Sequence, residues 1–211
     1  MISKISKKSL RNILDSNVEL FLLEEVDSTN NFAANLIKNK NIGTAVVIAK
    51  SQTSGRGTRG RSFYSPKDSG LYMSLKIDTD RILSEIFPPT PAAAVSVIKS
   101  LKNTTGLDAG IKWVNDIQLE GKKVCGILAE SKTDIATGKI TLIVGIGINI
   151  ATSFPKQLSV IASSLSDFTD TIDVNHLAGD IVNTLVRYVI NNRPEEYMCD
   201  YRKYCVTLGK Q

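Results

Sequence analysis

A chain of 211 residues, 42% of them hydrophobic, can bury one substantial core, which predicts a single globular domain over residues 1–211. Its net charge of +5, from 26 Lys and Arg against 21 Asp and Glu, favours a small anionic ligand over nucleic acid, and no helix-turn-helix pattern, zinc finger or aromatic-basic interleaving supports DNA binding. The longest apolar stretch, 140–150, is interrupted by Gly145, Gly147 and Asn149, and the basic residues 1–8 lack the apolar region of an export signal, so no membrane association is read and the cytoplasm is the expected location.

Residues 9–14 predict a short helix and 19–25 a strand, with Leu20, Leu22 and Leu23 as its apolar run. Asp27, Ser28 and Thr29 supply helix-capping oxygens to a helix over 30–38, where Phe32, Ala33, Leu36 and Ile37 recur at helical spacing. Residues 44–50 and 71–77 predict two strands that hold the segment between them at both ends. After Pro88, Pro89 and Pro91, residues 92–101 predict a helix that stops before Thr104, Thr105 and Gly106. Three short strands follow at 110–114, 116–119 and 123–130, the last two joined by a tight turn at 120–122, with Trp113 and Cys125 read as core. A long buried strand at 139–150, a helix with an apolar stripe at 174–191 and a helix opened by Pro194 that runs to Tyr204 complete the pattern. The class is α+β, with a mixed, mainly antiparallel sheet packed against helices.

The segment Gln52-Thr53-Ser54-Gly55-Arg56-Gly57-Thr58-Arg59-Gly60-Arg61 holds three glycines and three arginines within the seven positions from Gly55 to Arg61. Glycine lets backbone approach a ligand closely, and guanidinium offers a planar fork to carboxylate or phosphate oxygens, so the loop is suited to surround an anion. Cys125, Cys199 and Cys205 form no C-x-x-C pair and the lone histidine is His176, which argues against zinc and against imidazole catalysis and fits a reducing compartment.

Four more segments stand beside this loop: Asp27-Ser28-Thr29-Asn30, Lys112-Trp113-Val114-Asn115-Asp116, residues 121–130 (GKKVCGILAE), and Val144-Gly145-Ile146-Gly147-Ile148-Asn149. In this order and spacing the set resembles the biotin protein ligases. The resemblance implies a catalytic domain like theirs and like that of class II aminoacyl-tRNA synthetases. It also implies formation of biotinyl-5′-AMP from biotin and ATP, followed by transfer of biotin to a lysine of a biotin carboxyl carrier domain in a biotin-dependent carboxylase.

That chemistry pushes two anions together, and fixed cations aimed at the developing charge would lower its barrier; Arg56, Arg59, Arg61, Lys112 and Lys123 are suitable. By resemblance, Ser28, Thr29, Asn30 and Gln52 line the biotin pocket, Arg56, Gly57 and Thr58 close over biotin and its carboxylate, and Lys123 contacts carboxylate and phosphate. Lys123 and Arg56 are then the catalytic candidates. Arg59 and Arg61 steer the polyphosphate, Phe63 stands where the family often has tryptophan near adenine, Asn115 and Asn149 contact the adenylate, and Asp116 is the candidate for Mg2+. Read without the family, Ser28 is a helix cap and Lys123 a solvated turn residue.

Two departures carry expectations. Thr58 replaces an arginine found in many members, which predicts weaker retention of the adenylate. The expected C-terminal SH3-like domain is absent or truncated, and no N-terminal helix-turn-helix is read, which places the chain with the enzyme-only branch. The alternatives are a lipoate or octanoate ligase of the same superfamily and a non-catalytic biotin-binding module. An exposed sheet edge leaves homodimer formation open.

Overall fold

The computed structural model describes residues 1–209, whose apolar alternation produces a seven-stranded sheet with two unequally covered faces. The elements in chain order are α1 (Lys7–Ile13), β1 (Glu19–Val26), α2 (Thr29–Leu36), β2 (Ala45–Gln52), β3 (Gly70–Asp78), α3 (Pro89–Thr105), β4 (Gly110–Lys112), β5 (Asp116–Leu119), β6 (Lys122–Thr133), β7 (Ile140–Asn149), α4 (Lys156–Ser159), α5 (Val174–Asn191) and α6 (Glu195–Tyr204). The spatial order is β1-β2-β3-β7-β6-β5-β4. β1 and β2 run parallel, and the other pairs are antiparallel.

Period-two alternation assigns the faces. Leu71, Met73, Leu75 and Ile77 of β3, Cys125 and Ile127 of β6 and Val144, Ile146 and Ile148 of β7 enter the main core. Against them pack the small and branched side chains of α3, from Ala92 to Leu101, and the stripe of α5 that includes Leu177, Ile181 and Leu185. On the opposite face α2 covers only one end, where Ala33 meets Val47 and Ile143 beneath Phe21, Leu23 and Phe32. The rest of that face carries Tyr72, Ser74, Gly126, Leu128, Gly145 and Gly147, and the last four of these floor a cavity.

Several boundaries differ from the sequence reading for identifiable reasons. α3 starts at Pro89 because the first turn of a helix needs no N–H partner, so its prolines are tolerated there. It continues to Thr105, where the Thr104 and Thr105 hydroxyls donate to the Ser100 and Leu101 carbonyls at 2.7 and 2.6 Å, and it ends at Gly106, which takes the left-handed cap position at φ 75°. Ser28 occupies the N-cap of α2, but its side chain makes no capping bond. Trp113 is not core: β4 stops at Lys112, and the indole is 65% exposed.

Lys76 is 2% exposed, an arrangement tolerated because its three N–H donors are all used. They reach the Ile42 and Gly43 carbonyls at 2.8 and 3.0 Å and Asp78 Oδ2 at 2.5 Å, which ties the segment after α2 to β3. No described helix is long and apolar enough to cross a membrane.

Leu101 is fully buried in the main core on α3. Leu101→Ala is expected to destabilise the fold by about 2–5 kcal/mol, measured as a lower urea-unfolding midpoint; an unchanged midpoint would place α3 outside the cooperative core.

Candidate active site

The bare part of the sheet floors a cavity of about 450 Å³, and the loops around it supply the walls. Ser28, Thr29 and Asn30 enter from the start of α2, Gln52 from the end of β2, and Arg56 to Phe63 from the loop between β2 and β3. Lys112 to Asp116 come from the β4–β5 connection and Lys123 from the start of β6. Five cationic side chains, Arg56, Arg59, Arg61, Lys112 and Lys123, thus share a lining whose one carboxylate is Asp116.

The Gly-Arg loop folds back on itself through bonds from Gly57 N to Arg61 O at 2.7 Å and from Phe63 N to Gly55 O at 2.8 Å. Consecutive left-handed residues, Arg59 at φ 57° and Gly60 at φ 74°, make the tip. Beneath it the strand register brings Ser74, Gly145 and Leu128 into one row and Tyr72, Gly147 and Gly126 into the next. A side chain on Gly145 would collide with Asn30 Oδ1, and a Cβ on Gly147 would stand 2.5 Å from Phe63 Cε1. Both glycines therefore allow a polar group and an aromatic ring to rest directly on the sheet.

A continuous hydrogen-bond network orders the polar end. Gln52 Oε1 accepts from Thr29 N at 2.8 Å and Thr29 Oγ1 at 3.0 Å, while Gln52 Nε2 donates to Ser65 Oγ at 2.8 Å. The Ser65 hydroxyl donates on to Phe63 O at 2.9 Å. Ser74 Oγ lies 2.7 Å from Thr29 Oγ1 and 2.6 Å from Asn30 Oδ1, and Asn30 Nδ2 donates to Glu130 Oε2 at 3.0 Å. The nearly buried Ser28 hydroxyl has no hydrogen-bond partner among the described residues and lines the cavity, which leaves it open to a ligand.

Two of the cations are paired. Arg56 grips Glu130 through Nη1 to Oε2 at 3.0 Å and Nη2 to Oε1 at 2.8 Å, and Nη1 also reaches Asn31 Oδ1 at 3.1 Å. Lys123 Nζ lies 2.7 Å from Asp116 Oδ1 and 5.8 Å from the centre of the Phe63 ring. Arg59, Arg61 and Lys112 make no ion pair among the described residues. Burial pushes the Glu130 carboxyl up, but the hydrogen bonds from Asn30 and Arg56 and the guanidinium charge outweigh it and hold the group below its ordinary value.

Of the residues expected from the sequence, Ser28, Thr29, Asn30, Gln52, Arg56, Gly57, Thr58, Arg59, Arg61, Phe63, Asn115, Asp116 and Lys123 all line this one cavity. Asn149 does not. It is 3% exposed, and its Nδ2 donates to Lys123 O at 3.3 Å and Ser163 O at 3.1 Å, so it braces the Lys123 backbone. Asn115 both lines the cavity and donates to Ile127 O at 2.8 Å. The Phe63 ring lies over Gly147 on the floor.

Sequence reasoning assigned no role to Asn31, Ser65, Ser74 or Glu130, which hold the lining in place. The one available signal was parity: Ser74 falls in phase with Tyr72 on the non-core side of β3, and Glu130 falls in phase with Gly126 and Leu128 on β6.

The biotin/lipoate A/B protein ligase family matches residues 22–149. The bifunctional ligase/repressor BirA of Bacillus spizizenii is 35% identical over 169 residues, covering 77% of this chain and 52% of that protein. The chain therefore spans about half the length of that relative. The biotin--[acetyl-CoA-carboxylase] ligase of Mycobacterium tuberculosis is 26% identical over 201 residues, covering 92% of this chain and 73% of the relative. Among solved structures, the biotin protein ligase of Aquifex aeolicus in complex with biotin and ATP superposes with a TM-score of 0.75 at 27% identity, over 90% of this chain and 80% of that one. The Leishmania major biotin protein ligase in complex with biotinyl-5-AMP gives 0.72 at 27% identity, over 92% and 83%.

Because the folded carboxyl of Glu130 titrates below its unfolded counterpart, the stability it contributes is complete above the ordinary glutamate value of 4.5 and is lost as pH falls through the lower folded value. The stability difference between wild type and Arg56→Ala, at most about 1 kcal/mol for a half-exposed pair, is expected at pH 7 and should shrink progressively in acid below pH 4.5. Urea unfolding across that range measures it, and a difference that persists in acid would assign the effect to something other than the ion pair.

Proposed function

Because the chain belongs to the biotin/lipoate A/B protein ligase family and has the α+β fold of solved biotin protein ligases, we propose that it is an ATP-dependent biotin ligase. It forms biotinyl-5′-AMP and passes biotin to a lysine of the carboxyl carrier domain of a biotin-dependent carboxylase. The observation that carries the reading is the meeting of Arg56 and Lys123 in one cavity with the open Ser28 hydroxyl and the oriented Gln52 carboxamide.

In the first half-reaction a biotin carboxylate oxygen attacks the α-phosphorus of ATP. The new O–P bond forms as the bond to the pyrophosphate oxygen breaks, and pyrophosphate leaves with the electron pair. Arg56 and Lys123 offset the mutual repulsion of carboxylate and phosphate, and cations already fixed in place need little reorganisation when charge develops. Arg59 and Arg61, free of carboxylate partners among the described residues, draw in the polyphosphate. In the second half-reaction the carrier lysine, having lost a proton, attacks the acyl carbon. A C–N bond forms, the acyl–oxygen bond to AMP breaks, and AMP departs.

Ser28, Thr29, Asn30 and Gln52 form the polar end that receives the ureido ring, a neutral group needing hydrogen-bond partners once buried. Magnesium belongs with the nucleotide. Among the described residues no three His, Cys, Asp or Glu side chains gather to hold a cation, and Asp116 is already paired with Lys123. The ion therefore arrives as Mg-ATP, coordinated by phosphate oxygens and water, with Asp116 the lining carboxylate available to those waters.

Incubation with a carrier domain, ATP, magnesium and biotin should add one biotin-sized mass to a single carrier lysine, read by mass spectrometry. ATP–pyrophosphate exchange should proceed with biotin and not with lipoate or octanoate; exchange with only an alkyl acid would overturn the biotin assignment. Lys123→Ala should lower that exchange by about 100-fold or more. Thr58→Arg, by adding a charge-assisted donor, should slow release of biotinyl-5′-AMP by about tenfold, measured as adenylate escaping into solution without carrier; an unchanged escape rate would remove position 58 from adenylate retention.

A further inference from the structure

Glu130 stands outside the cavity lining, yet it joins the Gly-Arg loop, the start of α2 and β6. On β6 it follows Gly126 and Leu128 at strand period and pairs with Ile143 of β7, so its carboxylate emerges on the cavity side of the sheet, at the rim. Oε1 accepts from Arg56 Nη2 at 2.8 Å, and Oε2 accepts from both Arg56 Nη1 and Asn30 Nδ2 at 3.0 Å.

A guanidinium has five N–H groups. The protein takes three of Arg56's: both on Nη1, shared between Glu130 and Asn31, and one on Nη2. One N–H on Nη2 and the N–H of Nε remain on a side chain that lines the cavity.

A carboxylate beside an arginine that must receive an acid weakens the attraction for that acid. Its benefit has to be geometric. A loop arginine samples many rotamers, and fixing it only when the ligand arrives would weaken binding, whereas a bidentate fork holds the planar group in one pose beforehand. The shared Oε2 extends that pose to Asn30, whose Oδ1 is held in turn by Ser74.

We propose that Glu130 is the positioning residue for acid recognition: it presets the Arg56 guanidinium against Asn30 so that the two remaining N–H donors meet the carboxylate of the acid to be activated. The proposal rests on the reading of the cavity as an acid-activating site.

The test is ATP–pyrophosphate exchange on the full chain, as wild type, Glu130→Gln and Glu130→Asp, together with calorimetric binding of biotin and of biotin methyl ester, which keeps the ureido ring and lacks the carboxylate. In either orientation a glutamine amide sets an N–H against a donor of Arg56. Glu130→Gln should raise KM for biotin by about tenfold or more and also lower kcat, because Arg56 offsets charge in the reaction, with KM for ATP unchanged. Affinity for the methyl ester should stay within about twofold, and Glu130→Asp, which keeps both acceptors on a shorter stem, should recover part of the loss.

Equal weakening of acid and ester, an unchanged KM for biotin, or failure of both variants to fold would overturn the proposal and leave Glu130 a part of the scaffold. Wild-type exchange with lipoate or octanoate alone would overturn the biotin assignment only, and Glu130 would then be judged by the same KM and ester comparison with that acid. Wild-type exchange with none of the three acids would overturn both.

Discussion

The missing side chains of Gly145 and Gly147 are the constraint on which the site depends. Without a Cβ at either position, Asn30 Oδ1 and the Phe63 ring settle onto the sheet itself. Asn30 at that depth reaches Ser74 below and Glu130 beside it, and Glu130 in turn holds Arg56. Close approach of backbone is thus converted into the placement of a cation two residues removed from either glycine's neighbourhood. The opposite face of the same strand carries Val144, Ile146 and Ile148 into the main core, so the floor is backed by buried apolar side chains.

Charge is handled differently in the core and at the cavity. Lys76 is buried with every donor satisfied by two carbonyls and one carboxylate, and it serves the loop after α2. The cavity cations are left incomplete. Arg56 keeps two donors unspent, Lys123 has one ion-pair partner in Asp116, and Arg59, Arg61 and Lys112 have none among the described residues. Five positive groups in one lining repel one another, and Asp116 in the lining and Glu130 at its rim moderate that repulsion while fixing Lys123 and Arg56.

The polar end follows the same logic of prior arrangement. Gln52 is oriented by Thr29 on one side and Ser65 on the other, so its carboxamide presents a settled orientation to the cavity. Ser28 contrasts with it: placed at the N-cap of α2, its hydroxyl makes no cap bond.

Much of this architecture follows from local patterning. Period-two alternation marked β3, a continuous apolar run marked β7, helical spacing marked α5 at its observed limits, and the density of Gly and Arg between two strands marked the loop that walls the cavity. Residue order along the chain also carried the family resemblance, because those motifs are contiguous. What local pattern left undecided is which distant residues meet. Asn149 is in phase with Gly145 and Gly147 on β7, yet its bonds to Lys123 O and Ser163 O spend its amide on backbone and it does not line the cavity. Glu130 reads as one more surface acid at a strand's end until the sheet brings β6 beside α2 and the Gly-Arg loop folds over both. The amino-acid order by itself determined the elements, the cationic loop and the glycines beneath it, since these are properties of neighbours in the chain. Only the tertiary structure decided which cations are paired, which hydroxyl is free and which carboxylate governs Arg56, because hydrogen bonding between residues 74 positions apart is settled by strand order and register.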